Sequence, residues 1–99
     1  MNSAEVIVAH LAAAGVRHLF GYPGDPTVEL LEAARRADLQ FVLGSREGTA
    51  GLMALAYGQL TGRPGVAVST LGPGSTNLVN AVASAWLDRV PMLAISGRW

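Results

Sequence analysis

Four short apolar segments, each preceded by a segment with helical spacing, constrain the fold of this chain more than any other feature. They lie at about residues 16–20, 39–43, 66–70 and 92–96, and the third contains the continuous apolar run Val66-Ala67-Val68. Strands that are covered by helices on both faces have such runs. The alternation of helix and strand therefore predicts an α/β fold, with a doubly wound, mostly parallel sheet and helices on both faces.

Residue types between the strands mark where the helices begin. Asn2 and Glu5 have the spacing of a capping box ahead of the first helix. Asp25 and Pro26 are typical of the N-cap and the first position of the second helix. The apolar spacing predicts that this second helix buries Val28, Leu31 and Ala34. The expected helices cover about residues 3–14, 26–37, 47–60 and 75–87.

The length of 99 residues suits one domain, and we assign residues 1–99 to a single domain. The fourth strand has no helix after it, because only Gly97, Arg98 and Trp99 follow. We therefore expect a partial domain that is truncated after the fourth strand.

The composition excludes several classes of function. Seven basic and seven acidic residues give a formal net charge of zero, so the chain lacks the basic surface that binds nucleic acid or an anionic membrane. All basic residues other than the two histidines are arginines, and the absence of lysine excludes a P-loop and a Schiff base. The absence of cysteine excludes disulfides, thiol nucleophiles and zinc–thiolate sites.

The apolar fraction of 51% is high for a small domain. The longest uncharged stretch, residues 65–87, is interrupted by Gly72-Pro73-Gly74, so we do not expect a membrane helix. The polar, acidic start does not have the pattern of a signal peptide, and we expect a cytoplasmic protein. We expect the excess apolar surface to be buried against another polypeptide; the alternative is a core rich in alanine and glycine.

Glycine-containing loops follow the predicted strands, at the edge of the sheet where ligands bind in open α/β folds. The loop Gly72-Pro73-Gly74 resembles the start of a dinucleotide-binding motif. Asn77 stands at the position of the third glycine, however, and no acidic residue ends a strand about twenty residues later. This loop therefore holds a phosphate or an aromatic ring, or it is only a tight turn between strand and helix.

Glu47 is the candidate residue for proton transfer. It begins an otherwise uncharged helix at the ligand-binding edge, since residues 48–62 carry no charge. A carboxylate there is partly shielded from water and is a suitable proton partner for a bound heterocycle. The alternative is a surface glutamate that complements the helix dipole.

Five segments carry a resemblance to a known family. They are Phe20–Gly24, Arg46-Glu47, Gly58–Val66, Gly72–Leu78 and Asp88–Gly97. In this order they resemble the N-terminal, pyrimidine-binding domain of thiamine-diphosphate-dependent enzymes of the acetolactate synthase type. The resemblance covers nearly the whole chain.

The resemblance implies that this domain binds the aminopyrimidine ring of thiamine diphosphate. It assigns Glu47 as the catalytic residue, which hydrogen-bonds a ring nitrogen and favours the imino tautomer that removes the cofactor's C2 proton. The implied cofactor-binding residues are Pro23, Gly24, Glu47, Pro73, Gly74 and Asn77. Family members often have histidine before the glutamate, whereas this chain has Arg46, so a role assigned to that histidine does not carry over.

The resemblance also implies a partner. A pyrophosphate-binding domain, from the same or another subunit of a homodimer or higher oligomer, would hold the diphosphate and Mg²⁺. We expect no metal ligand in this chain, because the family's Gly-Asp-Gly…Asn motif is absent and Asp25 is interpreted as a helix cap.

Two functions follow from these implications. The first is the N-terminal part of a carboligase or 2-oxo acid decarboxylase, a transferase or lyase, in which the chain alone is inactive. The alternative is a non-catalytic fragment or interaction module that docks on a full-length enzyme.

Overall fold

The computed structural model describes residues 2–24, 27–70 and 72–97. Within these residues, helices and strands alternate along most of the chain. The helices are α1 (Ser3–Ala13), α2 (Val28–Arg36), α3 (Glu47–Thr61), α4 (Pro73–Thr76) and α5 (Val79–Asp88). The strands are β1 (His18–Gly21), β2 (Gln40–Leu43), β3 (Gly65–Ser69) and β4 (Met92–Ser96).

The four strands form one parallel sheet in the order β2-β1-β3-β4. Phe20 of β1 lies opposite Val42 on one side and opposite Ala67 on the other. The chain passes from β1 outward to β2 and then returns to the other side of β1 for β3 and β4. The prediction of a parallel, doubly wound sheet is confirmed, and the direction of winding reverses between β1 and β3.

Two layers of helices bury the two faces of the sheet, as predicted. Val66 and Val68 pack in one apolar cluster with α1 and α2, whereas Ala67, between them, packs on the other face with α3. Alternate side chains of β3 therefore reach opposite layers, and all five residues of this strand are buried. This burial explains why the strand is apolar at successive positions.

Small residues bring α3 close to its neighbours. A β-carbon on Gly51 would lie 2.7 Å from the β-carbon of Ala81 in α5. A β-carbon on Gly65 would overlap the backbone of Ala54. At these points backbone and methyl groups make the contact, while Phe20 and Leu78 supply the large buried side chains of the core on this side.

The predicted cap of α1 is confirmed. The Asn2 side chain accepts a hydrogen bond from the Glu5 amide at 2.9 Å, and the Glu5 carboxylate accepts one from the Asn2 amide at 3.2 Å. The predicted caps of the second helix, Asp25 and Pro26, lie outside the described residues. Thr27 occupies the N-cap position of α2, and its hydroxyl donates to the carbonyl of Gly24 at 2.9 Å.

Two details of the helices differ from expectation. α2 buries Leu30, Ala33 and Ala34, while Val28 is 57% exposed, so the predicted buried face was wrong at this position. The fourth predicted helix is divided into α4 and α5: Asn77 and Leu78 between them keep right-handed helical backbone angles, but the Leu78 amide bonds to the Ser75 carbonyl, three residues back instead of four. The Leu78 side chain packs in the core with Ala50 and Ala54 of α3.

Candidate functional site

The candidate site lies where the winding of the sheet reverses. β1 and β3 are neighbours, but the chain leaves them toward different parts of the molecule. Their following loops lie at the carboxyl edge of the sheet, at the point where open α/β sheets usually form a ligand-binding crevice. Pro23 and Gly24 follow β1, whereas Pro73, Gly74 and Asn77 follow β3.

Glu47, the first residue of α3, also lies at this edge of the sheet. The side-chain amide of Asn77 donates a hydrogen bond to Glu47 Oε1 at 3.3 Å. A β-carbon on Gly74 would lie 3.2 Å from Glu47 Oε2. The structure therefore brings together three of the predicted site residues around one half-buried carboxylate.

Thr70 connects the two loops of the crevice. A β-carbon on Gly24 would lie only 2.5 Å from Thr70 Oγ1, and one on Gly74 would lie 2.9 Å from Thr70 Cγ2. Both glycines are therefore in close contact with the Thr70 side chain. Sequence reasoning assigned Thr70 to the strand and missed it; its place directly after β3, at the ligand-binding edge, was the available signal.

The prolines of the predicted site differ in their structural role. Pro73 is the first residue of α4 and is exposed. Its ring fixes φ at a helical value where no intrahelical amide bond is needed. The preceding Gly72 has φ +62°, a conformation that favours glycine. Pro23 is exposed in the loop after β1, at the same edge.

Arg46 also lies at this edge. It occupies the N-cap position of α3, with no hydrogen bond from its side chain to the helix end. Together with Asn77 and Asn80 it lines a cleft of about 250 Å³. The residue that replaces the family's usual histidine is therefore next to the Glu47–Asn77 pair.

The negative charge of Glu47 suits its position. Glu47 lies in the first turn of α3, and the positive end of a helix dipole stabilises a carboxylate there. The Asn77 amide holds one oxygen, which leaves the second oxygen facing Gly74. The arrangement can accept a hydrogen bond from a flat, protonated nitrogen heterocycle.

No cluster of three or more histidine and acidic side chains that could hold a metal ion occurs among the described residues. In the same part of the chain, none of the helices has both the length and the apolar character needed to cross a membrane.

Comparison with known proteins gives strong matches along the whole chain. It is 39% identical over 98 residues to the acetolactate synthase isozyme 2 large subunit of Escherichia coli, covering 99% of this chain and 18% of that protein. It is 43% identical over 99 residues to a probable acetolactate synthase 2, chloroplastic, of rice, covering 98% of this chain and 15% of that protein. It is 40% identical over 98 residues to a probable acetolactate synthase large subunit of Methanocaldococcus jannaschii, covering 99% of this chain and 17% of that protein.

The chain thus spans less than a fifth of the length of these relatives. The family described as thiamine pyrophosphate enzyme, N-terminal TPP binding domain, matches residues 1–99. The predicted resemblance is confirmed, and the chain belongs to this family of N-terminal TPP-binding domains.

Proposed function

We propose that this chain binds the aminopyrimidine half of thiamine diphosphate in the crevice between Gly24, Gly74 and Glu47. In this proposal it is the N-terminal part of an enzyme of the acetolactate synthase type or of a 2-oxo acid decarboxylase. The observation that carries the proposal is the Glu47 carboxylate, held by Asn77 on one oxygen and open toward Gly74 on the other.

The residues present fit this group in chemistry. Gly24 and Gly74 pack closely on the Thr70 side chain, and Gly74 also lies against Glu47, so both loops are held beside the carboxylate that would bind the ring. Pro23 and Pro73 supply apolar surface at the same edge. Glu47 supplies the acceptor that a ring nitrogen needs when it carries a proton.

Glu47 has a defined task in this proposal. Its carboxylate accepts a charge-assisted hydrogen bond from the ring nitrogen opposite the amino group and holds a proton at that nitrogen. Asn77 keeps the carboxylate oriented, and the start of α3 favours its charge. When bound, the cofactor supplies an electron sink for carbanion chemistry, so the protein contributes orientation and proton control.

We assign the diphosphate and Mg²⁺ to a separate pyrophosphate-binding domain, on the same or another subunit of a homodimer or higher oligomer. The support is the length of the relatives, which exceed this chain more than fivefold. The single-domain assignment of residues 1–99, the cytoplasmic location and the inactivity of the isolated chain stay predictions.

Binding is tested with the aminopyrimidine half alone, 4-amino-5-hydroxymethyl-2-methylpyrimidine, titrated into the ¹⁵N-labelled chain. We expect the amide signals of Glu47, Gly74 and Asn77 to shift. Glu47→Gln should weaken binding about tenfold, because it removes a charge-assisted hydrogen bond worth about 1.5–3 kcal/mol.

Glu29→Gln is the matched control, since Glu29 is an exposed first-turn glutamate of α2. It removes the same charge from the chain without changing the crevice. Equal affinities of Glu47→Gln and the parent chain would contradict the proposal, as would shifts confined to α5 and β4.

The catalytic role requires a larger protein. We would use a chimera in which this chain replaces the matched residues of the E. coli relative, assayed for exchange of the C2 proton of bound thiamine diphosphate with deuterium. Glu47→Gln should slow this exchange at least about tenfold. Unchanged exchange, with the cofactor shown to be bound, would remove Glu47 from the mechanism.

A further inference from the structure

Two side-chain hydroxyl groups lie within hydrogen-bond distance of the Thr70 carbonyl oxygen. Ser75 Oγ, in α4, donates to it at 3.0 Å, and Ser96 Oγ, at the end of β4, donates to it at 3.3 Å. The two hydroxyl oxygens are also in contact with each other, so while one serine donates to the Thr70 carbonyl, the other donates either to that carbonyl or to the first hydroxyl. Thr70 is the first residue after β3, so these bonds join the ends of two strands to the turn that contains α4.

α4 depends on such anchors for its position. It is only one turn long, and its N-cap residue, Gly72, has no side chain that could bond to the helix end. A helix of this length is not stable by itself. It nevertheless contains Gly74, which faces the Glu47 carboxylate, and it is followed by Asn77, which binds that carboxylate. Ser75 lies between these two residues in the sequence.

We propose that Ser75 and Ser96 are positioning residues that clamp α4 to the Thr70 carbonyl and so hold Gly74 and Asn77 against Glu47. The consequence for the aminopyrimidine rests on the proposed function. The clamp itself does not, because its three groups all belong to this chain and contact one another directly.

The two serines partly replace each other. A carbonyl oxygen has two lone pairs, and each hydroxyl has one proton to donate. When one serine is changed to alanine, the other still donates to the Thr70 carbonyl. We therefore expect a larger effect from the double variant than from the sum of the two single variants.

The end of β4 has a second attachment that alanine leaves intact. The amide of Gly97 donates to the carbonyl of Ser69 at 3.1 Å, and this backbone bond does not involve the Ser96 hydroxyl. Ser96→Ala therefore removes the Ser96 hydroxyl from the clamp without detaching the strand. Ser84→Ala, in the middle of α5 and outside the clamp, is the matched control.

The clamp is tested by amide hydrogen exchange in the full chain. The amides of Thr76 and Asn77 bond to the carbonyls of Gly72 and Pro73, at 3.0 and 2.9 Å, and they report the opening of α4. We expect Ser75→Ala or Ser96→Ala to speed their exchange about threefold, and the double variant to speed it more than tenfold. The Ala54 amide in α3 should not change in any variant.

Unchanged exchange at Thr76 and Asn77 in the double variant would overturn the clamp. If the double variant does not fold, the two single variants decide: exchange about threefold faster than in the parent supports the clamp, and unchanged exchange in both overturns it. This measurement needs no ligand, so its result does not depend on the proposed function.

The positioning role is tested by titration with the same aminopyrimidine. We expect the double variant to bind it about fivefold more weakly than the parent, and Ser75→Ala/Ser96→Thr to recover part of the affinity by restoring one hydroxyl. Faster exchange of α4 with unchanged affinity would overturn the positioning role. Failure of the parent chain to bind would refute the proposed function and, with it, the positioning role, while the exchange result for the clamp would stand.

Discussion

Gly74 lies closer to the Glu47 carboxylate than a larger residue allows. A β-carbon there would lie 3.2 Å from Glu47 Oε2 and 2.9 Å from Thr70 Cγ2. Both atoms belong to side chains that can move, so the backbone can keep its course when a methyl group is added. A larger residue at this position would therefore change the orientation of the Glu47 carboxylate rather than the fold.

Gly74→Ala should therefore weaken aminopyrimidine binding at least about fivefold, while the free energy of unfolding changes by less than about 2 kcal/mol. Titration by NMR and urea unfolding measure the two quantities. Gly48→Ala is the control, because a β-carbon there meets only the Asn77 carbonyl oxygen, at an ordinary 3.6 Å. Equal losses of affinity in both variants would contradict the special role of Gly74.

Residue types predicted much of the crevice but not all of it. Glu47 and the Gly72–Gly74 loop could be selected from the residues themselves, because they stand at the ligand-binding edge of the predicted sheet, whereas Asn77 was assigned only by the family resemblance. Thr70 was missed although it directly follows β3, because a threonine at the end of a strand is common. Its importance depends on two glycines from different loops that contact it only in the folded chain.

Among the elements, α3 and α5 approach each other most closely at a glycine, Gly51, which lies against Ala81. A β-carbon on Gly51 would lie 2.7 Å from Ala81 Cβ and 3.1 Å from a methyl group of Leu78. The alanine contact involves an atom fixed to the backbone of α5. α3 and α5 must therefore separate if Gly51 is enlarged.

Gly51→Ala should destabilise the chain by about 1–3 kcal/mol, although alanine favours helix formation more than glycine does. Urea unfolding gives the free energy. Gly48→Ala, in the same helix but without the close contact, should be neutral or slightly stabilising. A stabilised Gly51→Ala variant would show that this interface is looser than the contact distance indicates.

Sequence prediction at this scale was limited in the helices and in the edge strand. β3 shows its burial on both faces in a continuous apolar run. β4 has an equally continuous run at residues 92–95, but Leu93 is exposed and β4 lies at the edge of the sheet, so burial on both faces was the wrong interpretation there.

The division between α4 and α5 has no mark in the sequence, because residues 75–87 carry no charge or proline. It appears only in the backbone hydrogen bonds, where the Leu78 amide bonds to the Ser75 carbonyl three residues back.

At the scale of the whole molecule, α5 and β4 carry an apolar surface that nothing in the described chain covers. Trp86 is 83% exposed and Leu87 is 78% exposed. Leu93 is also exposed on β4, which is an edge strand. Five of the twelve exposed large apolar side chains in the described ranges lie on α5 and β4, so part of the predicted excess of apolar surface is gathered there.

The chain should self-associate at tens of micromolar, because exposed apolar patches of this kind are normally buried against another polypeptide. Sedimentation velocity over a concentration series measures this. Trp86→Glu should shift the distribution toward monomer, whereas Leu60→Glu should not, since Leu60 is 86% exposed on α3, outside the patch. A parent chain that stays monomeric throughout the series would contradict the prediction.

The order of the strands has a consequence for how this chain is made. Residues 22–64, 43 in all, separate the end of β1 from the start of β3, its neighbour in the sheet. At a synthesis rate of about 5–20 residues per second, the ribosome begins β3 about 2–9 s after it has completed β1. During this interval one edge of β1 is free to pair with the wrong chain. Because the crevice forms only when β3 joins β1, a ligand cannot protect the nascent chain during the same interval.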